Sequence, residues 1–345
     1  MSLPDPGAGI VLVTWTNEEP TGGNVYNARL AAALRERGRP VEILGVPGSW
    51  PEADRDAQNR LAAELSAHPV ALVDGIVASQ APGAIQAAAG AGRSVVILVH
   101  LPLGVDRPDL LESQAFSAAS AVVCTSHHGA DLIVRHYGIR ADVALPGADQ
   151  APIAAGSTPP RLLSVASLTP IKDQLTVIRA LTMIDDLGWS AALVGSTSAD
   201  PSYVGEVRAM ITSTGLHDRV TITGALVGIA LEEQWAAADL LLLVSRTETY
   251  GLVVTEAFAH GIPAVVGAGT GAEEALRRSA GTDARSLPGR TVQAGDPPAL
   301  AAALRHWLTD ADLRAAWHAA ALDRRTSLPT WADTATAVEQ CLARR

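Results

Sequence analysis

Short apolar runs recur along the first half of the chain at 9–14, 41–46, 70–74, 94–100, 121–126 and 141–145. They return in the second half at 161–167, 190–195, 220–223, 240–244 and 264–267. Runs this short and this continuous are typical of strands buried on both faces, as in a parallel sheet. Between them lie segments with helical spacing, at 25–37, 55–67, 82–89, 108–118 and 130–137, and at 252–260 in the second half. Gly38 stops the first of these, and Gly261 with Pro263 stops the one that ends at His260. Two closing helices are predicted at 299–308 and 311–324, and a last one from Trp331 onward, after Pro329 and Thr330. Strand and helix in alternation predict an α/β fold, a parallel sheet with helices on both faces. The alternation breaks once, at Ala-Pro-Ile-Ala-Ala-Gly-Ser-Thr-Pro-Pro, residues 151–160, which is rich in small residues and proline. The pattern therefore predicts two doubly wound, Rossmann-like domains, 1–150 and 161–328, a linker at 151–160, and a terminal helical segment at 329–345.

At 345 residues the chain is comfortable for two such cores. Its net charge of −10 argues against a nucleic-acid partner and against an anionic membrane surface. No apolar stretch approaches the ~20 uncharged residues of a membrane span, and the N-terminus carries no basic segment followed by an apolar one. A soluble, cytoplasmic protein without stable membrane association is expected. Cys124 falls in a core strand and Cys341 in the last helix, a pair better read as reduced core thiols than as a disulfide or a metal site. The chain has a single lysine, Lys172; every other cationic Lys/Arg position is arginine. An arginine fork does not substitute for a compact ammonium everywhere, so Lys172 marks a candidate site.

The stretch 244–266 carries the clearest candidate chemistry. A buried strand ends at Val244, a polar loop with Glu248 follows, and a helix containing Glu256 leads to the next strand. Polar residues at the carboxyl end of a parallel strand face the ligand crevice of an open α/β sheet. Gly251 stands between the acids at the helix start, where free N–H groups and the helix dipole attract phosphate. Acid, phosphate cradle and acid together suit a nucleotide sugar, with hydroxyls at either end and a diphosphate between. Gly22 and Gly23 sit between the first strand and first helix, where backbone amides can approach an anion, but they do not form the G-x-G-x-x-G of dinucleotide folds. His127-His128 point about 100° apart on a helix start and do not chelate a metal together.

Glu248-Thr-Tyr-Gly-Leu-Val-Val-Thr-Glu256, followed by Ala-Phe-Ala-His-Gly-Ile-Pro-Ala-Val, resembles the E-x7-E signature of retaining glycosyltransferases of family 4. The resemblance implies the GT-B architecture: two Rossmann-like domains facing a cleft, with the C-terminal helix crossing back to the first domain. It implies that Glu256 binds the ribose hydroxyls and Glu248 the sugar, with Tyr250, Gly251, Leu252 and Val253 also on the donor. Thr21-Gly-Gly-Asn24 resembles the family's glycine loop, which puts Gly22 and Gly23 on the donor phosphates. Ser164-Val-Ala-Ser-Leu-Thr-Pro-Ile-Lys-Asp173 resembles the loop that carries an arginine and, five residues later, a lysine. Lys172 matches the lysine, but Ser167 stands at the arginine position; Arg246 is the nearest replacement by motif. Thr223-Gly224-Ala225-Leu226 resembles the loop that meets the donor base. His100 matches a histidine that contacts the transferred sugar. On the acceptor side Asn17, Glu18 and Asp74 are the candidates.

The expected function is transfer of a sugar from a nucleoside diphosphate to a small soluble acceptor. It would be retaining and metal-independent, with Lys172, Glu248 and His100 as the catalytic candidates, no cofactor, and a small-molecule donor and acceptor as partners. A sugar phosphorylase on the same fold and a non-catalytic nucleotide-sugar binding protein are the alternatives, the second favoured by Ser167. A nicotinamide-dependent oxidoreductase is a weaker third.

Overall fold

The computed structural model describes residues 9–16, 21–105, 107–278 and 287–343. Asn17 and Glu18 lie outside these. The chain divides into two compact units: Met1–Gly147 together with Pro329–Arg345, and Ala148–Leu328.

The first unit runs β1 (Ile10–Trp15), α1 (Gly22–Glu36), β2 (Val41–Val46), α2 (Arg55–Ala67), β3 (Val70–Asp74), α3 (Gly75–Ala78), α4 (Pro82–Gly90), β4 (Ser94–Val99), α5 (Leu110–Ala118), β5 (Ala121–Cys124), α6 (His127–Tyr137) and β6 (Asp142–Val143). All strand pairs are parallel, in the order β2-β1-β3-β4-β5-β6. Successive side chains in a strand point to opposite faces, and both faces here are apolar. Val11, Val13, Ala71, Val73, Val95 and Ile97 pack with Leu61, Leu65, Ile85 and Phe116 on one side. Ile10, Leu12, Val70, Leu72, Val96 and Leu98 pack on the other side with Leu30 and Leu34 of α1. That second face also receives the last helix of the chain, α14 (Trp331–Ala343), through Ala335, Val338, Cys341 and Leu342. Thr334 Oγ1 fixes it near β6 by donating to Leu145 O (2.6 Å), and Trp331 meets edge-on, centroids 5.5 Å apart, the ring of Tyr26 in α1, whose OH donates to Ala144 O (2.7 Å). The terminal helix thus belongs to the first unit.

The second unit runs β7 (Arg161–Val165), α7 (Gln174–Thr182), β8 (Ser190–Val194), α8 (Pro201–Ser213), β9 (Val220–Gly224), α9 (Ile229–Ala236), β10 (Leu240–Leu243), α10 (Leu252–Ala259), β11 (Ala264–Gly267), α11 (Gly271–Arg277), β12 (Gly289–Val292), α12 (Pro297–Thr309) and α13 (Ala311–Arg325). Its order is β12-β11-β10-β7-β8-β9, again parallel throughout. Strand order reverses between β7 and β10 here, and between β1 and β3 in the first unit. Such switch points open a crevice beyond the carboxyl ends of the strands.

Three expectations need correction. Gly22 and Gly23 do not form a turn ahead of a helix that begins at 25; they are the first two residues of α1, capped by Thr21, whose Oγ1 accepts from the Asn24 amide at 3.2 Å. Residues 151–160 are not a free linker but an ordered strap on the second unit. The C-terminal ends of α9 and α10 leave carbonyls without helical partners, and the strap supplies amides to them: Ala155 and Gly156 to Ala236 O, Ala154 to His260 O. Arg325 Nη2 and the His260 ring hold Ala151 O and Pro152 O at 2.8 and 2.9 Å. Small side chains let this backbone lie close, which is why the segment reads as a linker. Finally, β12 completes the second sheet without any apolar run, since an edge strand of four residues needs little apolar surface.

Candidate functional site

At the second unit's switch point the loops after β7 and β10 lie together. Their backbones are joined by a bond from Arg246 N to Ile171 O at 2.8 Å. The loop after β7 turns tightly, with Lys172 N and Asp173 N both donating to Thr169 O. Lys172 Nζ donates to Glu248 Oε1 at 2.5 Å, and Ser245 Oγ donates to the same oxygen at 2.9 Å. The two residues picked out separately from sequence are therefore ion-paired across 76 positions of chain. Both are partly exposed, so a ligand can reach the pair.

Glycines let each of the two loops pack closely on its neighbour. A Cβ on Gly271, the first residue of α11, would stand 1.7 Å from Thr249 O. Without one, Gly271 N donates to Glu248 O at 2.8 Å and ties the β10 loop to α11. A Cβ on Gly195, just past β8, would stand 1.9 Å from Ala166 O, where the β7 loop crosses. Neither glycine belongs to the signature residues. Only the loop crossing reveals them.

Gly251 is the N-cap of α10, in a left-handed conformation (φ 75°), and no side chain caps the helix. Its first amides, on Leu252 and Val253, are the kind of donors that bind phosphate oxygens. Glu256 lies one turn further on, half-buried. Loop acid, uncapped helix start and helix acid thus follow one another as the sequence suggests. Tyr250 does not fit with them: its side chain is 3% exposed and turned into the core, and burial pushes its hydroxyl up to about 12. Only its backbone remains available to a ligand. Ser167 sits half-buried in the β7 loop, its carbonyl accepting from Gln174 Nε2 at 3.0 Å. Gly224 ends β9, two strands from the switch point, with Leu226 half-buried just beyond. Adjacent strands are about 4.8 Å apart, so this loop stands roughly 10 Å from β7.

Arg246, the nearest replacement by motif for the missing arginine, has its Nη2 3.1 Å from Asp173 Oδ2, and its side chain is otherwise exposed.

In the first unit, His100 follows β4 and lies against the start of α1. A Cβ added to Gly23 would come within 3.0 Å of its ring. Tyr26 meets the same ring edge-on, centroids 5.2 Å apart. Asp74 ends β3 but is buried, and both its oxygens are engaged. Oδ2 accepts from Asn27 Nδ2 at 2.8 Å, and Oδ1 from the Ile76 amide at 3.1 Å. The Asp74 carboxylate thus supports Asn27 from within the unit. Asn27, which the sequence did not mark, has its Oδ1 2.9 Å from His100 Nε2. With the Asn27 amide donating to Asp74, Oδ1 must accept, which places the imidazole proton on Nε2 and leaves Nδ1 an acceptor. Burial pushes the His100 pKa below its ordinary 6.5, and Asp74 opposes this.

Among the described residues no group of three or more His, Cys, Asp or Glu side chains is placed to hold a metal, and no helix is long and apolar enough to cross a membrane.

Two curated relatives carry the same name. A D-inositol 3-phosphate glycosyltransferase of Xylanimonas cellulosilytica is 28% identical over 178 residues, 46% of this chain and 42% of that protein. D-inositol 3-phosphate glycosyltransferase 1 of Catenulispora acidiphila is 28% identical over 288 residues, 81% of this chain and 65% of the other. The chain thus spans less than two thirds of either relative's length. Among solved structures, Anabaena HepE in complex with UDP and glucose superposes with a TM-score of 0.78 at 18% identity, over 98% of this chain and all of that one. That likeness establishes the fold, the Rossmann-like pair of GT-B glycosyltransferases. Residues 147–324, more than half of the chain, match the family described as glycosyl transferases group 1, and the chain belongs to that family.

Proposed function

We propose that this protein is a retaining, metal-independent glycosyltransferase of family 4, moving a sugar from a nucleoside diphosphate to a small soluble acceptor. The observation that carries the reading is the pairing of Lys172 with Glu248 beside the uncapped start of α10, at the switch point of the second sheet. A bound donor would draw Lys172 from Glu248 to the diphosphate, freeing Glu248 to accept from sugar hydroxyls. Lys172 and the Leu252 and Val253 amides would then stabilise charge as it develops on the leaving diphosphate. Glu256 would pair with the ribose hydroxyls. His100 keeps the sugar-contacting role that the resemblance implies, its Nδ1 accepting from a hydroxyl. Retention follows if the acceptor hydroxyl attacks from the leaving-group side and a phosphate oxygen takes its proton.

HepE was solved with UDP and glucose, and the curated relatives are named for D-inositol 3-phosphate. A UDP-sugar and a phosphorylated polyol are therefore the first pair to assay. Calorimetry with UDP, GDP and ADP, followed by transfer from the matching sugar nucleotide with and without EDTA, tests the reading. Turnover unchanged by EDTA, with the anomeric configuration kept, supports it. Loss of activity that Mg²⁺ or Mn²⁺ restores, or an inverted product, overturns the corresponding part. Ser167 favours a second reading, a nucleotide-sugar binding protein without turnover; donor binding with no transfer or hydrolysis across a broad acceptor panel would select it.

A further inference from the structure

Among the described residues Asp173 is the one non-glycine with a positive φ, 52° with ψ 45°. L-residues avoid this region, Asp and Asn less than most. Asp173 is also 3% exposed. Its Oδ1 faces the Thr176 amide at 3.4 Å at the start of α7. A buried carboxylate needs a counter-charge, and Arg246 supplies it from the next loop, Nη2 to Oδ2 at 3.1 Å. The same arginine's backbone amide holds Ile171 O. Lys172 is therefore bracketed by one residue: Arg246 binds the position before it through the main chain and the position after it through the side chain. The two cations diverge from there. The Lys172 ammonium goes to Glu248, and the Arg246 guanidinium stands 3.7 Å from where a Cβ on Gly295 would be.

We propose that Asp173 and Arg246 form a positioning pair that aims Lys172, and that Arg246 is not a second diphosphate cation standing in for an arginine at Ser167. The inference rests on the reading of Lys172 as the leaving-group cation. A diphosphate that took Nη2 of Arg246 would remove the counter-charge 3.1 Å from Asp173 Oδ2, a buried oxygen with no hydrogen-bond partner, and leaving such a charge unpaired is unfavourable. Through the pair, backbone strain at Asp173 becomes a fixed direction for the side chain before it.

The single lysine makes the test direct. Reductive methylation with ¹³C-formaldehyde places one side-chain probe, at Lys172, and dimethylation keeps its charge and one N–H. Spectra, UDP affinity and single-turnover transfer are compared for the parent, Arg246→Ala, Asp173→Asn and the double variant. Asparagine tolerates the left-handed backbone and keeps the capping oxygen, so that variant folds whatever Arg246→Ala does. The Lys172 signal is expected to move in both single variants. Turnover should fall about tenfold in each and no further in the double, since residues acting as one unit are not additive. UDP affinity should change by less than about threefold. An arginine that held the diphosphate itself gives the opposite: Asp173→Asn frees it and tightens UDP, Arg246→Ala weakens UDP, and the Lys172 signal stays. That result overturns the proposal. If the parent neither binds nor turns over any nucleotide sugar, the proposed function fails instead. The Lys172 signal still decides the positioning pair, because an unmoved signal in both single variants refutes it.

Discussion

At the scale of single residues, charge placement decides most of what this site can do. Lys172→Ala removes the one ammonium at the switch point, and loss of a preorganised charge donor typically costs about 2.7–4 kcal/mol, roughly 10²–10³ in turnover. Stability should change by less than about 1 kcal/mol, as for other partly exposed pairs; thermal unfolding beside single-turnover transfer separates the two. A change under about threefold in transfer would move the leaving-group role elsewhere. Glu256→Gln should act differently, weakening UDP binding by about 10- to 150-fold, or ~1.5–3 kcal/mol, with less effect on the chemical step. Equal UDP affinity in calorimetry would withdraw Glu256 from the ribose. The histidines set a pH dependence. His100 and His260, one in each unit, are both held below their ordinary 6.5, chiefly by burial. The unfolded chain then binds more protons just under pH 6.5, so stability is full above that value and falls as the pH drops toward the lowered folded values. Urea unfolding at pH 7.5 and 5.5 should show this loss, reduced in His100→Gln and in His260→Asn; a loss the same in both variants as in the parent would assign it to other groups.

At the scale of elements, the loops matter more than the strands that carry them. β7 and β10 are ordinary buried strands, but the loops after them pack closely on their neighbours because Gly195 and Gly271 leave room for carbonyls. Gly271→Ala pushes a methyl into Thr249 O. It should destabilise the second unit by about 1–3 kcal/mol, the usual cost of overpacking, and weaken UDP binding as the α10 loop shifts. Unfolding by circular dichroism with UDP calorimetry checks both, and an unperturbed protein would show that the loop gives way freely. Strands were legible because burial on both faces writes continuous apolar runs. Helix starts were less so: the α1 glycines resemble a turn, and only their capping by Thr21 shows them to be helical. Asn27 was invisible for a related reason, since an asparagine on a buried helix face announces no partner until Asp74 and His100 are brought to it from two other elements.

At the scale of the molecule, chain order and spatial grouping part company at the C-terminus. α14 comes last yet completes the core of the first unit with Ala335, Val338, Cys341 and Leu342. Ending the chain at Leu328 would expose the α1 face, a loss on the order of 5 kcal/mol for side chains of this size. The first unit should then unfold at lower temperature while the second keeps its transition. Calorimetry of the truncated chain that shows both transitions unmoved would mean that α14 is dispensable.

The amino-acid pattern alone determined the fold class, the doubling of the α/β alternation and the acids and lysine of the candidate motifs. Each of these is written locally, in strand-length apolar runs, helix stops and short spacings. Tertiary structure alone decided which of those residues meet. Lys172 finds Glu248 because β7 and β10 are neighbours at a strand-order reversal. Arg246 is turned to a buried Asp173, and Tyr250 turns inward while its neighbours stay on the loop. Asp74 becomes a support for Asn27 because the end of β3 is covered. Direction and burial of a side chain depend on elements far away in sequence, and no local pattern carries that information.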